Sequence, residues 1–355
     1  MCVNLDDRQA ALTRWVAQQM QQLGFARRDA RAELEVVSGD ASFRRYFRTK
    51  PENQGMTYIA VDAPPDKEDS RPFVAIARAW RQCGVQVPEV LAADFEQGFM
   101  LLSDLGDDLY LPLLAEDAEA LYGRALAALV KIQGCPQPVD YELPCYDKQK
   151  LWDEMQLCPQ WFFKELLGLT LSPADELRLQ DVFDRLVESA LEQPVVCVHR
   201  DFHSRNLMVL PDGEVGVLDF QDAVSGPVTY DLVSLLRDCY ISWPAEKEEK
   251  WLREYLGLAV AQGVWRSGET PSYAQVKRWF DWMGLQRHIK CVGIFSRLFL
   301  RDGKSGYLPD IPRTFTYLKR VCEAYPEFAE FNVWLDQTVV PAMAACSRLP
   351  AGNRL

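Results

Sequence analysis

VVCVHRDFHSRNLMVLPDGEVGVLDFQDAVSGPVTYD, residues 195–231, is the stretch on which the fold turns. Its first four residues, Val195 to Val198, form an apolar run suited to a short buried strand. His199-Arg200-Asp201 follows, and Asn206 stands five residues after the aspartate. Leu207 to Leu210 and Val215 to Leu218 read as two strands joined by Pro211-Asp212-Gly213, a turn sequence. Asp219 leaves the end of that hairpin. Taken singly, Asp201 or Asn206 would suit a turn whose polar side chains bond their own backbone. A carboxylate, a carboxamide and a second carboxylate in register around one hairpin instead suit a metal-bound phosphate. That is phosphoryl-transfer chemistry.

Either side of this stretch the chain changes character. Upstream, Leu5, Leu12, Trp15, Val16, Met20 and Leu23 recur at helical spacing before Gly24. Strands are expected at Leu34–Val37, Phe43–Thr49 and Thr57–Asp62, with Ser38 to Ser42 as a turn-rich loop between the first two. A helix over Arg71–Cys83 and strands at Leu91–Phe95 and Phe99–Ser103, turning at Glu96-Gln97-Gly98, complete a small sheet with helices. From Gly106 the periodicity is helical. Asp117–Gln133 is amphipathic, Ser172-Pro173-Ala174-Asp175 signals a capped helix start, and further helices are expected near 229–240, 245–262, 272–300 and 326–346. The expected class is α+β and bilobal, with a sheet-rich lobe over 1–103 and a mainly helical lobe over 104–355.

Composition narrows the function. The chain has 355 residues, enough for two lobes. A net charge of −12 argues against nucleic acid as a partner, since counterion release needs clustered Lys and Arg. The polar opening, Met1 to Arg8, shows no signal segment, and no apolar run is long enough to cross a bilayer, so a cytoplasmic protein with no membrane partner is expected. Ten cysteines without a C-x-x-C pair read as reduced thiols, and three histidines offer little for zinc.

HRDFHSRN followed by LDFQD resembles the catalytic loop and metal-binding signatures of the protein-kinase-like fold. The wider pattern, HRDFHSRNLM and LDFQDAVSGPVTYDLVSLL, resembles the aminoglycoside phosphotransferase branch, whose members phosphorylate small-molecule hydroxyls. GDASFRRYFR and LLSDLG bring it nearest to the bacterial anomeric kinases of N-acetylmuramate and N-acetylglucosamine in cell-wall recycling. The resemblance implies ATP and Mg²⁺ as cofactors and a small amino-sugar substrate phosphorylated at its C1 hydroxyl. It implies Asp201 as the catalytic base, with Asn206 and Asp219 as hard oxygen ligands for the metal. His199, His203 and Asp231 read as braces of the loop. Asp222 could touch metal or substrate, or merely shape the turn.

The pattern departs from protein kinases in three places. Tyr58-Ile59-Ala60-Val61 ends in Asp62 where a lysine is expected, and the helix after it carries no acid to pair with one. Arg44 and Arg45, with Arg48 and Lys67 behind them, are the candidate phosphate clamps, beside Gly39 in an abbreviated glycine loop. Ser103 ends the segment expected to present backbone groups to adenine. The interval between Asp219 and Asp231 is too short for an activation segment, so Arg200 has no phosphorylated loop to grip and a protein substrate is disfavoured. A substrate carboxylate would need a cation from the helical part, with Arg237, Arg287, Arg297, Arg301 and Arg313 as candidates. Trp279, Phe280 and Trp282 could face a sugar but fit core spacing better. Two other readings stay open: a kinase of another small hydroxyl acceptor, such as an aminoglycoside or amino alcohol, and a non-catalytic nucleotide-binding pseudokinase.

Overall fold

The computed structural model describes residues 5–25, 32–39, 43–51, 55–265 and 270–350. The chain divides into two compact units. Met1–Tyr110, Cys135–Leu143 and Asn206–Ala223 form the first; Leu111–Gly134, Pro144–Arg205 and Val224–Leu355 form the second.

The first unit is built on a five-stranded antiparallel sheet. Helix α1 (Leu5–Gln22) precedes β1 (Leu34–Gly39), β2 (Arg45–Thr49) and β3 (Tyr58–Asp62); α2 (Arg71–Gln82), β4 (Val90–Asp94) and β5 (Phe99–Ser103) follow. The strand order is β1-β2-β3-β5-β4. Leu12, Trp15, Val16 and Met20 share one face of α1 and pack on Phe47, Tyr58, Ala60, Phe99 and Leu101. The strand residues alternate with period two, so Val61 and Met100 are buried on the opposite face. Between β4 and β5 the chain turns at Gly98, whose φ of +71° favours glycine; a Cβ there would sit 1.9 Å from the Ala63 carbonyl oxygen. Ser38 and Gly39, expected in the loop, extend β1, where Gly39 pairs with Arg45 across a register shift between Val36 and Ser38. Asp40 to Ser42 lie outside the described residues.

The same unit holds the hairpin of the focal stretch. Leu207–Val209 and Val215–Val217 pair antiparallel, with Gly213 at φ +82° in the expected turn. The Val209 N–H donates to the Asp108 carbonyl and the Val217 N–H to that of Gln86, both at 2.8 Å. Backbone bonds thus dock the hairpin against residues 86–108.

The second unit is mainly helical. It contains most of α3 (Tyr110–Gly134), then α4 (Lys148–Leu157), a π-helical run Cys158–Leu166, and α5 (Pro173–Leu191), which has the capping box expected of Ser172 and Asp175. Asp117 interrupts α3 with non-helical φ and ψ at the point where the amphipathic pattern begins. Val195–Val198 forms a strand paired antiparallel with a second at Val224–Pro227, which the sequence did not advertise. Beyond it come α6 (Tyr230–Leu236), α7 (Ala245–Ala261), α8 (Tyr273–Asp302) and α9 (Ile311–Ala324). The expected helix over 326–346 is broken by a π-helical run, Leu335–Val339, ahead of Pro341, whose ring removes a backbone donor.

Helix α8 is the axis of this unit, touching α4, α5, α6 and α9. Gly293 lets it lie against the start of the π-helical run, where a Cβ would come within 2.5 Å of the Cys158 nitrogen. Trp279, Phe280 and Trp282 are buried in its packing. So are Asp281, Arg287, His288 and Lys290, and charges so deep in a core need partners. Among the described residues no helix is long and apolar enough to cross a membrane.

Candidate active site

In the helical unit, Val195–Val198 delivers the chain into a loop that its own backbone groups and two buried acids hold in shape. Arg200 has a φ of +78°, a conformation disfavoured for a side chain with a Cβ. The Asp231 carboxylate offsets that strain by accepting the His199 N–H at 2.6 Å and the Arg200 N–H at 2.9 Å. Downstream, the Asp238 carboxylate accepts the Ser204 N–H at 3.0 Å and its hydroxyl at 2.5 Å. The Asp201 N–H donates to His199 Nδ1 at 3.2 Å, and the His203 N–H to the Asp201 carbonyl at 3.0 Å. His199 is fully buried and acts as the expected brace.

Burial pushes the Asp201 carboxyl up, but the charges of Lys290, His203, Arg200 and Arg287 outweigh it and hold the group below the usual carboxylate range. Asp201 is therefore an anion at neutral pH. Asp231 runs the other way: burial, partly countered by His199 and the two N–H donors, raises it to about 6.

Arg200 does have something to grip. Its guanidinium donates to Glu154 of α4, which also accepts the Tyr146 hydroxyl and pairs with Lys290 at 3.1 Å. Lys290 donates in turn to the Tyr230 hydroxyl at 2.9 Å. Burial opposes the Glu154 charge, but Lys290 and Arg200 overcome it and depress its pKa. Glu154, Lys290 and Asp238 were not foreseen. Each lies more than thirty residues from the loop it serves, in helical or turn sequence that gives no sign of the contact.

In the sheet-bearing unit the hairpin joins the two other site residues. The Leu218 N–H donates to the Asn206 carbonyl at 2.9 Å, and Asn206 Nδ2 lies 3.5 Å from Asp219 Oδ2. Asp219 adopts a φ of +62°, a left-handed conformation that Asp tolerates better than most residues. Its neighbour Phe220 is fully buried, with its ring centroid 4.6 Å from that of Phe73 and 5.5 Å from that of Trp80. Packing on α2 thus sets the direction of the acid. Gln221 Nε2 donates to Asp219 Oδ1 at 2.8 Å, while Gln221 Oε1 is buried without a hydrogen-bond partner among the described residues. A half-turn of the Asn206 amide puts a second oxygen beside the Asp219 carboxylate. With the orphaned Gln221 oxygen nearby, this donor set fits a hard cation such as Mg²⁺. Burial first and the Asp222 charge next raise the Tyr141 hydroxyl above its usual range.

The candidate phosphate clamps have acidic partners. Asp62, fully buried where a lysine was expected, accepts from Arg8 of α1 and Arg45 of β2, each with its Nε at 3.0 Å. Two arginines around one carboxylate leave a net positive charge at the end of β3. Arg44 is buried and pairs with Glu68 at 3.1 Å, and Arg48 joins Asp104 and Asp107. Lys67 stands over the Phe43 ring. The Ser103 hydroxyl accepts the Glu89 N–H at 2.8 Å at the end of β5. Replacing Arg44 and Arg45 together by glutamine is expected to raise KM for ATP about tenfold, the loss of roughly one charge-assisted hydrogen bond. Steady-state kinetics with ATP varied checks it, and an unchanged KM removes both arginines from the phosphate clamp.

Residues 33–269, which include this loop and the hairpin after it, match a defined group of proteins. The chain belongs to the phosphotransferase enzyme family. Within this phosphotransferase family it is 44% identical to the N-acetylmuramate/N-acetylglucosamine kinase of Pseudomonas putida, over 96% of this chain and 99% of that one. It is 46% identical to the protein of that name from Pseudomonas aeruginosa, over 85% and 87%. A choline/ethanolamine kinase family protein from Mesorhizobium loti shares the fold with a TM-score of 0.60 at 17% identity, over 92% of this chain and 99% of that one. The α+β, kinase-like expectation holds: a five-stranded antiparallel sheet is followed by a mainly helical region.

Proposed function

We propose that this phosphotransferase is an ATP-dependent kinase that phosphorylates the C1 hydroxyl of N-acetylmuramate and N-acetylglucosamine. The observation that carries the reading is likeness along nearly the whole chain to kinases of those two sugars. An anomeric hydroxyl is more acidic than an ordinary alcohol, so a carboxylate base suffices. Asp201 accepts its proton and aims the oxygen at the γ-phosphorus of ATP, while Lys290, Arg200 and Arg287 keep the carboxylate ionised. Asn206 and Asp219 would hold Mg²⁺, which supplies neutralising charge for the β- and γ-phosphates. The four residues between Asp201 and Asn206 tie base to ligand pair along the chain.

The test is a panel of both sugars, an aminoglycoside and choline with ATP, with and without Mg²⁺, and ³¹P NMR of the product. Mg²⁺-dependent ADP release with the two amino sugars and a C1 phosphate is expected. Phosphate at C6 defeats the anomeric assignment, and ATP turnover stimulated by no sugar leaves a nucleotide-binding protein instead.

A further inference from the structure

Helix α8 carries an arginine into the interior of the helical unit with no carboxylate to meet it. Arg287 is 3% exposed and makes no ion pair among the described residues. Its Nη1 donates to the Cys239 thiol at 3.6 Å, and its Nε has no acceptor. The other buried cations of the unit are matched: Arg237 by Glu248 and Asp281, and Lys290 by Glu154. Of the arginines weighed for a substrate acid, Arg301 pairs with Asp302 and Arg313 with Asp310. Arg297 is only part-buried, and its charged neighbours are Arg301 and Asp302, not the catalytic loop. Burying an unpaired guanidinium is costly, and packing alone would be served by an apolar side chain of the same length.

The surroundings of Arg287 say what the charge is for. Its field reaches Asp201 and His203. His203 Nδ1 is likewise buried without a partner. Tyr240 meets the His203 ring edge-on at 5.3 Å and carries the Arg205 guanidinium 3.5 Å from its centroid. Phe295, about two turns beyond Arg287 on α8, lies 6.3 Å from Tyr240 and stacks on Tyr307 at 5.5 Å. Two nitrogens without a hydrogen-bond partner among the described residues and a wall of aromatic rings therefore gather near Asp201. A ring-shaped ligand with an anionic arm fits that set, the ring against the aromatics and the acid on the guanidinium.

We infer that Arg287 determines specificity by binding the carboxylate of an acidic sugar, the lactyl group of N-acetylmuramate, and makes no such contact with N-acetylglucosamine, which has no acid. The inference rests on the proposed sugar 1-kinase reading. It is tested with wild type, Arg287→Met and Arg287→Lys on N-acetylmuramate, its methyl ester and N-acetylglucosamine. Arg287→Met is expected to raise KM for N-acetylmuramate by about 10–100-fold, the worth of a charged hydrogen bond, while any loss of kcat from the weaker field on Asp201 is shared equally by all three sugars. KM for the ester and for N-acetylglucosamine stays put, and Arg287→Lys recovers part of the loss. The wild type should lose against the ester what Arg287→Met loses against the acid. An equal change in KM on all three sugars leaves Arg287 only a positioning residue for Asp201 and overturns the inference. So does a wild type that handles ester and acid alike, a result that needs no variant to fold. A wild type that turns over neither sugar overturns the substrate reading and this inference with it, whereas turnover of both sugars without an acid effect overturns this inference alone.

Discussion

Asp201→Asn is expected to lower kcat by about 10²–10⁴-fold, the range a positioned general base contributes, with KM for ATP nearly unchanged. The substitution keeps the shape of the side chain and leaves intact the loop bonds made by the backbone N–H and carbonyl of the residue. What it removes is the acceptor proposed for the hydroxyl proton and a negative charge that lies in the field of Lys290, Arg200 and Arg287. The pH profile separates base from brace. Asp201 is depressed below the ordinary carboxylate pKa of about 4, so it stays ionised, and its contribution to stability is present above that value and lost only as pH falls through the folded pKa. Asp231, raised to about 6, has the opposite sign. Its contribution to stability is full below about 4 and is lost as pH rises through about 6. A rate limb near pH 6 in the wild type is the one expected of Asp231, and in Asp201→Asn it should persist at lower pH on the reduced activity, because the Asp201 charge is one of the causes that raise Asp231. Near-normal turnover in the variant sinks the assignment of Asp201 as base.

The contrast between these two aspartates shows what a sequence exposes and what it hides. Asp201, Asn206 and Asp219 stand within nineteen positions, and a single hairpin relates the last two, so spacing alone suggested a common site. The strands of the sheet were legible too, because period-two burial leaves an alternation that a short window detects. Phe99–Ser103 was placed to the residue, whereas Ser38 and Gly39 were misread as loop because small turn-forming residues also suit a strand end. In the helical unit the signal fades. A helix buried on nearly every side, as α8 is, has no polar face to set its phase, and its Arg287 and Lys290 look like surface cations until the fold encloses them. Asp62 is the clearest case of a half-legible residue. The missing lysine was visible; the two arginines that converge on the aspartate in its place, one of them 54 positions away, were not.

Glu154→Ala is expected to destabilise the fold by about 3–5 kcal/mol, the cost of breaking a buried pair by deleting one partner. Glu154 is the sole acid paired with both Arg200 and Lys290 among the described residues, and it also accepts the Tyr146 hydroxyl. Without it two cations stay in the interior, one of them Lys290, whose charge burial opposes and Tyr230 and Glu154 sustain. Arg200 is also the residue held at φ +78° immediately before Asp201, so slack in its side chain passes directly to that aspartate. Two readouts follow. Chemical denaturation should show a lower midpoint with an unchanged slope, and kcat should fall at temperatures where the variant is still folded, while KM for the sugar moves less. Removing the cation with the acid tests the cause, since Glu154→Gln combined with Lys290→Met leaves one fewer charge unpaired. That double variant should regain much of the stability lost by Glu154→Ala but not the turnover, because Lys290 also sustains the ionised state of Asp201. If both properties return together, Lys290 does not support the base. If neither does, the stability of the loop rests on the Arg200 contact rather than on the balance of charge around Glu154.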